Sequence, residues 1–91
     1  MAELEDSSQP RLAAGCRWTG EGADRTLVYP EGALRLQETA RAILERCDGH
    51  RSFAQIVEEL VTAYNASDPA KIRQDAGVFL ERLRQKRLVD Y

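Results

Sequence analysis

The hydrophobic period of this chain changes from about two to nearly four between Leu27 and Gly49, and that change organises the rest. Leu27 and Tyr29 lie on one face of a strand over 27–29, and Pro30 holds Tyr29 extended. Pro30-Glu31-Gly32 predicts a three-residue hairpin loop with Gly32 in the left-handed conformation. The chain returns as a strand over 33–36, with Leu34 and Leu36 on one face. Ala40, Ile43, Leu44 and Cys47 then mark one side of a helix over about 38–47, and Asp48-Gly49 stops it.

Upstream, Cys16-Arg17-Trp18 alternates and predicts a first strand, and the glycine-bearing stretch 20–25 predicts a loop. The result is a three-stranded antiparallel meander, about the fewest strands that hold together under a helical cover. Residues 1–10 (MAELEDSSQP) are acidic, polar and aperiodic. They are expected to form a disordered tail ahead of a single domain over 11–91, with Leu12 its first anchored residue.

Downstream, Ser52 and Gln55 have capping-box spacing, and Phe53, Ile56, Val57, Leu60, Val61 and Tyr64 form a helical stripe. The segment 65–67 breaks it. Asp68 as N-cap and Pro69 at the first helical position open a third helix, striped by Ile72, Ala76, Phe79, Leu80 and Leu83. Leu88-Val89 turns back as a tail or short strand. Strands followed by helices mean an α+β fold: a winged-helix-like, three-stranded antiparallel sheet followed by three helices.

Ninety-one residues make one small domain with little room for a deep catalytic cavity. The net charge of −2 argues against nucleic acid as the partner, and no apolar run is long enough to span a bilayer. With no signal-peptide pattern, the expected location is the cytoplasm. Cys16 and Cys47 lack metal or redox spacing and are expected to be reduced thiols. His50 sits in a turn, no serine has a nucleophile-elbow setting, and no glycine loop suits phosphate. The expectation is a protein that is not an enzyme and has no cofactor or metal site of its own.

At about 100° per residue, Asp75, Arg82 and Lys86 line one flank of the third helix, with Phe79 at the border. An open third strand beside that flank would make a slot for an extended peptide, which Arg35 and the basic helix end would bias towards acidic sequences. The same open edge could pair two copies, so a monomer or weak homodimer is expected.

Several segments resemble the PqqD family of pyrroloquinoline quinone (PQQ) biosynthesis, a group of RiPP precursor-peptide recognition elements. They are Leu27-Val28-Tyr29-Pro30-Glu31-Gly32, then Leu36, Thr39-Ala40 and Ile43-Leu44, then Cys47-Asp48-Gly49. Phe53, Ile56-Val57, Leu60, and Asp75 with Phe79-Leu80 and Leu83 complete the pattern, which covers roughly residues 10–91. The chain departs from that pattern at Gln37, where the family often has asparagine, and at Arg87, where glycine commonly ends the third helix.

The resemblance implies a winged-helix peptide chaperone that binds the ribosomal precursor peptide PqqA and delivers it to the radical SAM enzyme PqqE. That enzyme cross-links a glutamate and a tyrosine of the peptide, and the iron–sulfur cluster and S-adenosylmethionine are its own. The resemblance also implies peptide contacts at Leu34, Arg35, Leu36, Ile72, Asp75, Ala76, Phe79, Arg82 and Leu83. The alternative is a DNA-binding winged helix-turn-helix regulator, which the fold and the basic cluster over 82–87 would suit. Glu58 and Glu59 fit that alternative badly, because a recognition helix exposes basic and amide groups.

Overall fold

In the computed structural model, which describes residues 4–91, two small sheets and three helices share one core. The strands are β1 (Arg11–Leu12), β2 (Arg17–Thr19), β3 (Thr26–Tyr29), β4 (Gly32–Arg35) and β5 (Val89–Asp90). The helices are α1 (Glu38–Glu45), α2 (Phe53–Ala63) and α3 (Pro69–Gln85), and a short 3-10 turn spans Gly22–Asp24. The expected meander is present as an antiparallel sheet ordered β2-β3-β4. A second sheet pairs β1 with β5, tying the two ends of the domain together.

Several boundaries differ from expectation, among them β2, which spans Arg17–Thr19 rather than 16–18. Tyr29 pairs with Gly32, so the hairpin turn holds only Pro30 and Glu31, and Gly32, with φ +159°, is the first residue of β4. Leu36 lies past the end of that strand. α1 stops at Glu45, and Cys47 follows it, buried, with its thiol donating to the Ile43 carbonyl at 3.3 Å. No side chain caps α1 at Gln37.

The other helix ends follow local chemistry. Ser52 and Gln55 form the capping box, with the Gln55 N–H donating to Ser52 Oγ at 3.1 Å and the Ser52 N–H to Gln55 Oε1 at 2.8 Å. Asp68 accepts from the Lys71 N–H at 3.3 Å. α3 closes in a Schellman motif: the Leu88 N–H donates to the Leu83 carbonyl at 3.0 Å and the Arg87 N–H to that of Arg84 at 2.9 Å. Arg87 takes the left-handed position, with φ +62°, where a side chain is strained.

Leu27 from the sheet, Leu44 from α1, Phe53, Ile56 and Leu60 from α2, Leu80 from α3 and Val89 from β5 are all at most 2% exposed. Among the described residues no charged or polar side chain is buried with them. Met1 to Glu3, the start of the expected disordered tail, lie outside the described residues. From Leu4 onward the same stretch is laid on the body: Pro10 is buried and its carbonyl accepts from the Gly49 N–H at 3.0 Å.

Candidate functional site

Among the described residues β4 is paired on one side only, so its other side is an open edge. The turn length decides which groups face that edge. In a two-residue hairpin the pair flanking the turn, here Tyr29 and Gly32, is hydrogen-bonded. Leu27 and Leu34 are then the next bonded pair, and the N–H and C=O of Ala33 and Arg35 point away from β3. Side chains alternate the other way: Leu34 packs half-buried on the core, while those of Ala33 and Arg35 are exposed. The strand therefore offers an unpaired backbone without losing its hold on the protein.

α3 supplies the second set of expected residues. Ala76 and Leu83 are 1% and 3% exposed, so both are core side chains and present no surface to a peptide. Ile72 and Phe79, like Leu34 and Leu36, are half-buried and packed against the one core cluster. Asp75 is exposed and lies 3.7 Å from Lys71 one helical turn earlier, a pair worth a few tenths of a kcal/mol. Arg82, on the same flank, is exposed. Among the described residues Arg35, Arg82 and Lys86 form no ion pair.

The remaining motif residues build the scaffold. Asp48 Oδ1 accepts from the His50 and Arg51 N–H groups at 2.9 and 3.0 Å, and its other oxygen from Arg51 Nη1 at 2.7 Å. Those backbone bonds, more than the Arg51 charge, hold its carboxyl below the usual range. Gly49 has φ +79° and packs on Arg11, so Cys47-Asp48-Gly49 makes a corner under β1. The buried Cys47 thiol is pushed up to about 12, by burial first and by Asp48 second. Burial likewise raises Cys16, and both cysteines are free.

Among the described residues no three metal-binding side chains converge, and His50 is an exposed turn residue. Glu59, on α2, is held by Arg46 and Arg51 at 3.1 and 2.9 Å. Tyr91, Glu81 and Arg84 form a cluster that the sequence gives no sign of: the Tyr91 hydroxyl donates to Glu81 Oε2 at 2.6 Å, and Arg84 Nη2 donates to Oε1 at 2.8 Å. It clamps the last residue to α3 on a face away from Asp75 and Phe79.

Residues 25–89 match the sequence pattern of the family described as Coenzyme PQQ synthesis protein D (PqqD). The chain is 39% identical to a PqqA binding protein of Xanthomonas oryzae pv. oryzae over 94 aligned residues, which cover 98% of each chain. It is 37% identical to one from Azotobacter vinelandii, over 99% of this chain and 98% of that one. Its fold is similar to the solution structure of the PqqD truncation of Methylobacterium extorquens PqqCD, described as a functional, stand-alone RiPP recognition element. That likeness has a TM-score of 0.78 at 33% identity and covers 97% of this chain and 95% of the other. A match to most of the chain, in sequence and in fold, leaves one conclusion: the chain belongs to the PqqD family.

Proposed function

We propose that this protein binds the ribosomal precursor peptide PqqA as an added strand on β4, beside the Phe79 flank of α3, and presents it to the radical SAM enzyme PqqE. The observation that carries the reading is the open β4 edge, with two residues' backbone groups turned outward from a strand anchored by Leu34. Relatives similar over their full length are named PqqA binding proteins, which supports the choice of peptide.

The magnitudes say what the edge can and cannot do. Four outward backbone groups at roughly 1 kcal/mol net each give about 4 kcal/mol. Ordering a flexible peptide costs about 2–5 kcal/mol, so backbone pairing alone leaves little affinity. Apolar contact with Ile72 and Phe79, and attraction to Arg35, Arg82 and Lys86, must supply the rest. That division gives the edge the register and the α3 flank the choice of an acidic, partly apolar peptide. The domain does no chemistry in this reading. It holds one stretch of the peptide in the cytoplasm, as a monomer or weak dimer, and leaves the residues to be cross-linked to the enzyme and its cofactors.

Titration calorimetry of the full chain with the PqqA-like peptide of its own genome tests this, with duplex DNA as control. The expected result is saturable one-to-one binding that Arg35→Glu weakens at unchanged far-UV circular dichroism. Binding to DNA with a steep salt dependence, and none to the peptide with or without PqqE, would overturn it.

A further inference from the structure

A second concavity lies along α3 on the side carrying Arg73, Gly77 and Val78. It is an open groove of about 800 Å³ lined by Leu4, Phe53, Arg73, Gly77, Val78 and Arg82 among others. Leu4 forms one wall of it, and the stretch that follows Leu4 docks as a peptide at that end, over the start of α2. Residues 5–8 form a turn, closed by the Ser8 N–H on the Glu5 carbonyl at 3.0 Å and the Glu5 N–H on Ser8 Oγ at 2.9 Å. The Ser8 carbonyl accepts from the Phe53 N–H at 2.7 Å, and the Asp6 carbonyl from that of Ala54 at 3.1 Å. These are the first N–H groups of α2, which have no partner within the helix.

The side chains of the stretch are recognised as well. Asp6 pairs with Arg73, whose guanidinium lies 5.2 Å from the centroid of the Phe53 ring. Leu4 packs over Phe53 and the bare backbone of Gly77. The acidic turn also sits at the positive end of the α2 dipole, the favourable place for it. Apart from the half-buried Leu4, the stretch from 4 to 8 contributes nothing to the core, so its removal uncovers a site without breaking the fold. Val78, 54% exposed, extends the apolar floor beyond Leu4.

We propose that the Phe53, Arg73 and Gly77 end of this groove, with the start of α2, is a second peptide-docking site, occupied in cis by residues 4–8 and open in trans to an acidic turn of the same pattern, an aliphatic residue two positions before an aspartate, on a partner protein. The site shares Arg82 with the α3 flank assigned to the first peptide but does not depend on the reading given for β4. A tethered segment competes at an effective concentration of roughly millimolar, so the resident strap sets a threshold that a partner must exceed.

The test uses the full chain, wild type and Leu4→Ser/Asp6→Lys, with a blocked synthetic peptide of residues 4–10 (LEDSSQP) as probe. In the double variant the Phe53 and Ala54 amides should exchange about tenfold faster or more, with Ile56 and Leu60 unchanged. The peptide should shift Phe53, Ala54 and Gly77 and restore their protection, binding the variant about tenfold more tightly than wild type. The same peptide with its aspartate changed to lysine should not bind. Unchanged exchange at Phe53 and Ala54 would overturn the proposal, since the strap would not be separable. So would freed amides that millimolar peptide leaves unaltered, or shifts confined to Ala33 and Arg35.

Discussion

Replacing Arg35 by proline puts the peptide reading at greatest risk. The Arg35 N–H points away from β3, so proline there removes no bond from the β3–β4 ladder, and proline is tolerated on such an edge. Leu34, the residue before it, is already extended in β4, as a proline requires. The fold should therefore survive with only a small loss of melting temperature. A peptide strand would lose the donor at its centre and keep a carbonyl with no partner, at about 1–3 kcal/mol. That is roughly a 5- to 150-fold rise in Kd by calorimetry. Two controls separate the causes. Arg35→Ala removes the charge but keeps the donor, so it should cost less and lose its effect at high salt. Leu34→Pro removes a donor that faces Leu27 and should destabilise the hairpin itself. Full affinity in a folded Arg35→Pro protein would refute strand addition at β4.

Four further outcomes follow from the geometry. Arg87→Gly relieves a left-handed residue at the end of α3, and relative to Arg87→Ala it should gain about 1 kcal/mol, roughly 4–8 °C in thermal melting; equal melting of the two variants would remove the strain. Leu80→Ala, at a site 0% exposed, should cost about 2–5 kcal/mol in urea unfolding with little effect on peptide affinity. Phe79→Ala, at a half-buried site, should cost less stability but more affinity. Above pH 9 the unfolded Cys47 thiol gives up its proton while the folded one, raised to about 12, keeps it, so folding stability falls between those values. Cys47→Ala should fall less steeply over the same range.

What the sequence made legible was local. The Ser52–Gln55 box, the Asp68 cap with Pro69 and the 3.6-residue stripes each draw on residues within one or two turns, and α2 and α3 begin where those signals place them. The β1–β5 pairing was not legible, because Leu12 and Val89 are neighbours only once the core has brought the chain's ends together. The same holds for residues 4–10: polar residues with no period, whose partners Phe53, Ala54 and Arg73 lie far along the chain. The hairpin loop was misjudged by one residue because glycine signals a turn without saying whether it sits in the turn or just after it. In the site, the flank of α3 carrying Asp75, Phe79 and Arg82 followed from helical angle. That angle does not give the depth of Ala76 and Leu83, which depends on what packs against them.

A site made of backbone has consequences for what its sequence can show. Any residue but proline supplies the outward N–H and C=O at positions 33 and 35, so the edge itself leaves almost no mark on composition. What does leave a mark is the machinery that holds the edge in register: Tyr29-Pro30-Glu31-Gly32 turning the hairpin, Leu27 and Leu34 pinning it to the core, and Cys47-Asp48-Gly49 making the corner under β1. The family pattern is thus mostly a description of the scaffold, which is why it identifies the fold so well and the peptide contacts so poorly. In the strand-addition proposal, side-chain choice enters on the α3 flank and at the basic residues, so exchanging Arg35, Asp75, Arg82 or Lys86 should change which peptide is taken while the scaffold motifs stay the same.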